Sequence, residues 1–447
     1  MRPDTSGKLL RRSAIAAVIA AGAAPLAVPA APGDPLGAVF TVADGGVGNI
    51  YGQPSVARDA DGDMVVVWHS ALGVRGQLLA PDGAPKGTAF IVDAVSGAGL
   101  SAVAMDSDGD FVVAWARADA SGPGIHAQRY RADGTPQGAM LQVSEPFDAR
   151  IGRPALGSAA VAMDADGDFA VAWSQGHYVQ QGNTYACGYR IGLCTRIGGY
   201  SVRVRRYDRN GGDQAIQAVD ATGAAEITLF GIPAQAGSTE DRVTLAMAPD
   251  GRFVVAWNRL AEVISLASGV YMRRYDADGR PELKRLVALQ RDQAMPAVAM
   301  NAGGACAVIY RHERRTLGGY ETALYMRQFP AGTGLGSAEI RVDDGGSGSG
   351  FGVWPSVAMD AAGDAVAAWA AGDGIRAQRY AAGGGALGIN FVVGAAAPLG
   401  YVSFPSVAAQ ANGDFAIAWG VDNIEYPPGS VNGIYTTRID ARLYDGP

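Results

Sequence analysis

One spacing, repeated seven times, constrains this chain more than any other feature. The best-preserved copy reads Ala162-Met163-Asp164-Ala165-Asp166-Gly167-Asp168-Phe169-Ala170-Val171-Ala172-Trp173. Its equivalents end at Trp68, Trp115, Trp257, Tyr310, Trp369 and Trp419. The residue that opens the turn is Asp59, Asp106, Asp164, Ala248, Asn301, Asp360 or Gln410, and each stands nine positions ahead of the closing aromatic. Fixed spacing inside a unit, with variable spacing between units, marks one supersecondary element copied along the chain. Such a unit cannot bury its apolar surface alone, so the copies must pack on one another.

A second motif follows each copy. Gly124-Ile125-His126-Ala127-Gln128-Arg129-Tyr130 returns as Gly374-Ile375-Arg376-Ala377-Gln378-Arg379-Tyr380, and more loosely from Gly269 to Tyr275. A glycine comes four residues after the tyrosine, at Gly134, Gly211, Gly279 and Gly384. The unit then closes on Gly-x-x-Phe-x-Val, as in Gly87 to Val92 and Gly388 to Val393. This pattern predicts a meander of four strands. Pro-Ser-Val-Ala-Met is the first, and a two-residue Asp-Gly turn leads into Phe-Val-Val-Ala-Trp as the second. Alternating Ile-x-Ala-x-Arg-Tyr is the third, and Phe-x-Val the fourth.

The second strand decides how the sheets pack. Met64 to Trp68, Phe253 to Trp257 and Phe415 to Trp419 are apolar at every position, so both faces must be buried. Sheets stacked face to face around an axis do this. The expected fold is therefore all-β: a seven-bladed β-propeller of four-stranded antiparallel meanders, with blade cores near 54–92, 100–143, 154–219, 241–289, 295–342, 354–393 and 404–445. Gly37 to Val42 is a fourth-strand motif with no blade before it, and the seventh copy shows no clear fourth strand before Pro447. Pairing the two predicts a ring closed by an N-terminal strand, with two sheet edges removed.

The repeat resembles one found in multiple copies in secreted and surface proteins of bacteria, of the form Pro-Ser-Val-Ala-Met-Asp-x-Asp-Gly-Asp-Phe-Val-Val-Ala-Trp. The resemblance covers nearly all of residues 37–445. It implies export and a propeller-like fold, and it implies no defined activity, so no catalytic residue is carried over.

Export agrees with the first thirty residues. Lys8, Arg11 and Arg12 precede an uncharged apolar stretch from Ala14 to Val28, and Val28-Pro29-Ala30 reads as a cleavage site. Residues 1–30 are thus expected to be a signal peptide, and 31–447 a single secreted, periplasmic or surface domain with no transmembrane segment after leader removal. Cys187 and Cys194 share one loop and are candidates for a local disulfide, whereas Cys306 lies in an apolar strand and reads as a core residue. A net charge of −7 argues against nucleic acid as partner.

In a meander, turns one-to-two and three-to-four share one rim, and the other connections share the opposite rim. The first rim is short and uniform here. The second varies, from about five residues after Trp68 and Trp369 to about twenty-eight between Ser174 and Ser201. Binding loops diversify on a rigid frame, so function is expected on the variable rim. The candidate binding residues are His69, His177, Tyr178, Tyr185, Tyr189, Tyr200, His312, Glu313 and Trp354, with the repeat aromatics Trp68, Trp115, Trp173, Trp257, Tyr310, Trp369 and Trp419 assigned to structure. A recognition module for a glycan or protein partner is one reading. The alternatives are a hydrolase or lyase at the axial channel, using residues such as Asp119, Arg153, Glu240, Arg259, Glu313 and Asp373, or a structural adhesin-like spacer. No metal site is expected from His69, His126, His177 and His312, whose spacing matches no ligand motif. The Asp-x-Asp-Gly-Asp turns look superficially like calcium loops, but five residues fall short of the roughly twelve such loops use, and ordinary turn chemistry explains them. The glycine-rich runs after Asp44 and Asp344 read as flexible connections.

Overall fold

The computed structural model describes residues 33–47, 53–95, 100–119, 122–145, 156–180, 186–187, 190–191, 195–221, 242–259, 269–289, 294–316, 319–332, 334–343, 354–396, 401–425 and 434–446. They form seven four-stranded antiparallel sheets, plus a two-residue ribbon of Ala186–Cys187 with Arg190–Ile191. Six sheets follow chain order. The seventh runs from Tyr401–Ala409 through Phe415–Glu425 and Ile434–Tyr444 to Phe40–Val47. The first strand of each blade touches that of the next all the way round, with Ser55–Arg58 meeting Tyr401–Ala409 at the seam. The ring is a closed seven-bladed β-propeller.

The constant spacing reflects one constant register. Arg58 pairs with Met64, Met105 with Phe111, Met163 with Phe169, Met247 with Phe253, Met300 with Cys306, Met359 with Ala365, and Ala409 with Phe415. The turn between them has five residues, not the two expected. In the first blade the Asp59 amide donates to the Asp63 carbonyl at 3.0 Å, and Gly62 takes the left-handed φ of 93°. In the second, third, fifth and sixth blades the opening side chain caps this wider turn. Asp106 Oδ1 accepts the amides of Asp108 and Asp110 at 3.0 and 2.9 Å, and Asp164 does the same for Asp166 and Asp168. Asn301 Oδ1 accepts from Ala305 at 2.8 Å. An acceptor on a short stem is what this position needs.

The second motif has an equally local cause. Its tyrosine ends the third strand opposite the phenylalanine that starts the second, and the rings stack at 4.9 Å in Phe111–Tyr130, 4.8 Å in Phe169–Tyr207, 4.4 Å in Phe253–Tyr275 and 4.7 Å in Phe415–Tyr444. Such pairs contribute about 0.5–1.5 kcal/mol beyond their burial. Its glutamine fastens the next connection: Gln128 Nε2 donates to the carbonyls of Arg129 and Gly138, and Gln378 to those of Arg379 and Gly388.

Seven apolar cores lie between successive blades, one per interface. The second strands are sealed on both faces, as Met64 to Trp68 show. Trp115 Nε1 donates to Asp93 of the preceding blade at 2.8 Å, and Trp257 Nε1 to Asp220 at 3.1 Å, so the repeat aromatics also tie blades together. Cys306 is buried in this packing, with Arg274 Nη2 at 3.2 Å from its Sγ.

At the seam, Phe40 pairs with Ala441 and Thr41 with Asp440, while Phe40 and Val42 pack on the core that holds Val56, Trp68 and Ile439. The closing strand begins three residues later than Gly37 and runs on through Asp44 to Val47, a run expected to be a flexible connection. Two register irregularities along it let the glycine-rich run remain paired.

Candidate functional site

The small polar residue near the start of the first strand is an interblade latch. Val103 N donates to Ser55 Oγ, Val407 N to Ser356 Oγ and Val56 N to Ser406 Oγ, each at 3.1 Å. The equivalent residues elsewhere are Ala102, Ala160, Thr244 and Ala297, so this position stays small all round the ring. Two residues earlier the pattern reverses. Six positions before the turn-opening residue stand Gln53, Leu100, Ser158, Arg242, Met295, Trp354 and Phe404. No two are alike.

These seven positions lie at or near the beginnings of the innermost strands, and so surround the axial entrance on the variable rim. Backbone strain collects there. Gln53, Met295 and Phe404 have φ of 60°, 42° and 51°, and a proline follows each. Left-handed backbone is costly for non-glycine residues, by about 1–3 kcal/mol each. In the third and seventh blades the strand runs through this point with a break in register, between Leu156 and Ala159 and between Ser403 and Ser406. Bulges of this kind re-aim side chains next to sites.

Three of the residues converge. The Arg242 guanidinium of the fourth blade lies 5.3 Å from the ring centroid of Trp354 in the sixth. Its Nη1 donates to the Pro355 carbonyl at a long 3.5 Å. Trp354 in turn meets Phe404 of the seventh blade, ring centroids 5.0 Å apart and tilted by 53°. Arg242 thus reaches past the fifth blade to the start of the innermost strand of the sixth. Burial lowers its pKa to about 10, so it remains a cation at neutral pH. Tyr401, three residues ahead of Phe404, is exposed.

The walls of this rim are strands where loops were expected. In the third blade Phe169–Gln180 and Thr195–Tyr207 continue as a ribbon, with His177 opposite Gly199 and Tyr178 opposite Ile197. Seven residues beyond Trp173 remain paired, against two beyond Trp68 in the first blade, a difference of roughly 17 Å of projection. Backbone groups rising above the rim have only each other as partners, which favours pairing. Cys306–Thr316 with Gly319–Phe329, and Phe415–Glu425 with Ile434–Tyr444, form two further long ribbons.

Of the residues expected to bind, Trp354 lies at the axial entrance. His69 pairs with Val74 near the first-blade hairpin end, and burial lowers its pKa. His312 lies 5.7 Å from the Tyr325 ring, and His126 stacks on Trp115 at 6.2 Å. His177, Tyr178, Tyr200 and Glu313 are placed in the ribbons by backbone pairing, Glu313 opposite Thr322. Tyr185, Tyr189 and Cys194 lie outside the described residues, and so do Arg153, Glu240 and the leader. Cys187 pairs with Arg190. Among the hydrolase or lyase candidates, Asp119 pairs through its backbone with Gly122, and Asp373 is held by Arg376 at 2.6 Å, with its pKa lowered by that hydrogen bond. Arg259, opposite Gly269, belongs to the fourth blade. No group of three metal-binding side chains forms among the described residues, and none of their helices is long and apolar enough to cross a membrane.

Sequence reasoning missed Gln53, Arg242, Met295 and Phe404. The signal was present: aligning the seven copies on the turn-opening residue exposes one column without agreement.

No family model matches the sequence, and no curated protein matches it. Solved propellers are similar in shape. The polysaccharide lyase Uly1 has 10% identity and a TM-score of 0.49, over 88% of this chain and 90% of that one. The Cps50 (Swd1) β-propeller domain of Myceliophteria thermophila has 7% identity and a TM-score of 0.48, over 91% and 99%. The α-L-arabinanase of Penicillium chrysogenum has 11% identity and a TM-score of 0.43, over 75% and 94%. Likeness at this level carries no information about activity.

Proposed function

We propose that this chain is an exported recognition propeller that binds a glycan at the axial entrance of its variable rim, without cleaving it. One observation carries the reading: the seven copies disagree at the column that lines the entrance, and there they bring Arg242, Trp354 and Phe404 together from three blades. Flat aromatic faces beside hydrogen-bond donors suit a sugar ring, which presents C–H and hydroxyl surfaces together. Left-handed backbone at three of the seven positions, Phe404 among them, is strain of the kind that collects at ligand sites.

A glycan array probed with the full chain tests this, followed by titration of the retained glycan against the Trp354→Ala/Phe404→Ala double variant. Affinity is expected to fall by about tenfold or more, equivalent to about 1.4 kcal/mol. An empty array, or a double variant that binds as well as the parent, would remove the proposal. A second reading, a hydrolase or lyase at the same mouth, draws on Asp422 of the seventh blade, whose pKa burial raises. Release of reducing or unsaturated ends from the retained glycan would replace recognition with cleavage.

A further inference from the structure

Resting on that glycan reading, we infer that the entrance selects an anionic glycan, with Arg242 as the residue that takes its carboxylate or sulfate oxygens. A guanidinium has five N–H donors in a planar fork that matches an oxyanion in bidentate fashion. Among the described residues, Arg242 makes one long hydrogen bond to the Pro355 carbonyl and lies over the face of Trp354. No carboxylate pairs with it among the described residues. Several arginines near this rim are ion-paired: Arg117 with Asp93, Arg203 with Glu145, Arg341 with Asp343, Arg376 with Asp373 and Arg438 with Asp440. Arg75, Arg259 and Arg311, like Arg242, have no carboxylate partner among the described residues, and Arg242 differs from these three in lying over the Trp354 ring. Burial disfavours the charge of Arg242, and an oxyanion bound against the guanidinium would offset that cost.

The location narrows the class of ligand. The protein carries a net charge of −7, so its overall field repels anions, and attraction must come from the short-range contact. Trp354 lays a flat face against the guanidinium and Phe404 a second ring beside Trp354, surfaces that a sugar ring uses better than an extended acidic side chain does. A uronate and a sulfated sugar both present the required oxyanion. An acidic peptide presents the carboxylate without the ring.

Calorimetric titration of the full chain with four polymers separates these cases: polygalacturonate, its highly methyl-esterified form, dextran sulfate and dextran, with poly-L-glutamate as a fifth. The anionic member of at least one matched pair should bind tenfold or more above its neutral partner, and Arg242→Gln should abolish that preference (cf.). Arg242→Lys, which keeps the charge and loses the fork, should retain part of it. Thermal melting of both variants confirms folding, and if Arg242→Gln unfolds, the lysine variant and the matched pairs still decide. Preference for polygalacturonate identifies a uronate site, and preference for dextran sulfate a sulfate site. Equal binding of charged and neutral polymers, or an Arg242→Gln variant that still prefers the charged one, overturns the inference and leaves glycan recognition standing. Tighter binding of poly-L-glutamate than of either anionic glycan overturns it in favour of an acidic peptide. Binding of no polymer overturns both.

Discussion

The two ends of the ring are built from the same seven copies and have opposite characters. At the end that carries the first turns, copies agree: each turn has five residues, a glycine takes the left-handed position in all seven, and the turns link blade to blade. Ala165 N donates to Pro249 O, Ala361 N to Ala411 O, and Gln410 Nε2 to the Asp59 and Ala60 carbonyls. At the other end the column that starts the first strands holds seven different residues and three left-handed backbones. Agreement marks what every blade needs to close the ring. Disagreement at a structurally equivalent, strained point marks what the ring was free to use for something else.

The sharpest way to break this contrast is at the seam. Removing the chain through Val47 should cost on the order of 5 kcal/mol, from the lost packing of Phe40 and Val42 and the lost ladder. Chemical denaturation reads the loss directly, and an unchanged midpoint would show that closure contributes nothing. Next comes a matched pair of tryptophans. Trp115→Ala, which empties an interblade core and removes the hydrogen bond to Asp93, should cost about 3–5 kcal/mol. Trp354→Ala should cost less than about 1 kcal/mol of stability while removing binding, since it is partly exposed. If the two lose equal stability, the entrance aromatics are structural too.

Two smaller tests probe the agreeing parts. Ser406→Ala deletes the seam latch to Val56 and should cost about 1 kcal/mol, no more, because Ala102, Ala160 and Ala297 already occupy this position in other blades. The smallest effect concerns pH. Burial pushes the Asp106 carboxyl up to about 6, above its unfolded value of about 3.9. The folded state therefore holds the proton more tightly, and the associated stability is present below about pH 4 and is lost as pH rises through about 6. Asp59 and Asp164 shift the same way, also through burial. Asp106→Asn keeps the acceptor, as Asn301 does in the fifth blade, and should flatten that slope by less than about 1 kcal/mol for a partly exposed group. Melts of parent and variant at pH 4 and pH 7 give the comparison.

Much of the architecture was legible before any coordinates. The nine-residue spacing translates into one register repeated seven times, and the orphan fourth-strand motif into the closing strand, because strand pairing with buried faces tolerates no slip. Three details were not legible. The width of the first turn is set by the backbone bond from its first amide to the carbonyl four residues on and by the left-handed glycine between them, which Asp-Gly alone does not reveal. Pairing of Asp44 to Val47 depends on an open edge offered by Ile434–Tyr444, some four hundred residues away. The third-blade ribbon depends on the lack of any other backbone partner above the rim.

The sequence by itself therefore determined the unit, its count, its closure and which rim varies, since each follows from spacing and from apolar runs that must be covered on both faces. Only the tertiary structure decided where the varied rim concentrates its chemistry. Arg242, Trp354 and Phe404 are separated by 112 and 50 positions, and no local pattern links them. Closing seven blades around one axis brings the starts of their innermost strands to a single mouth, and there a guanidinium of one blade meets the rings of two others.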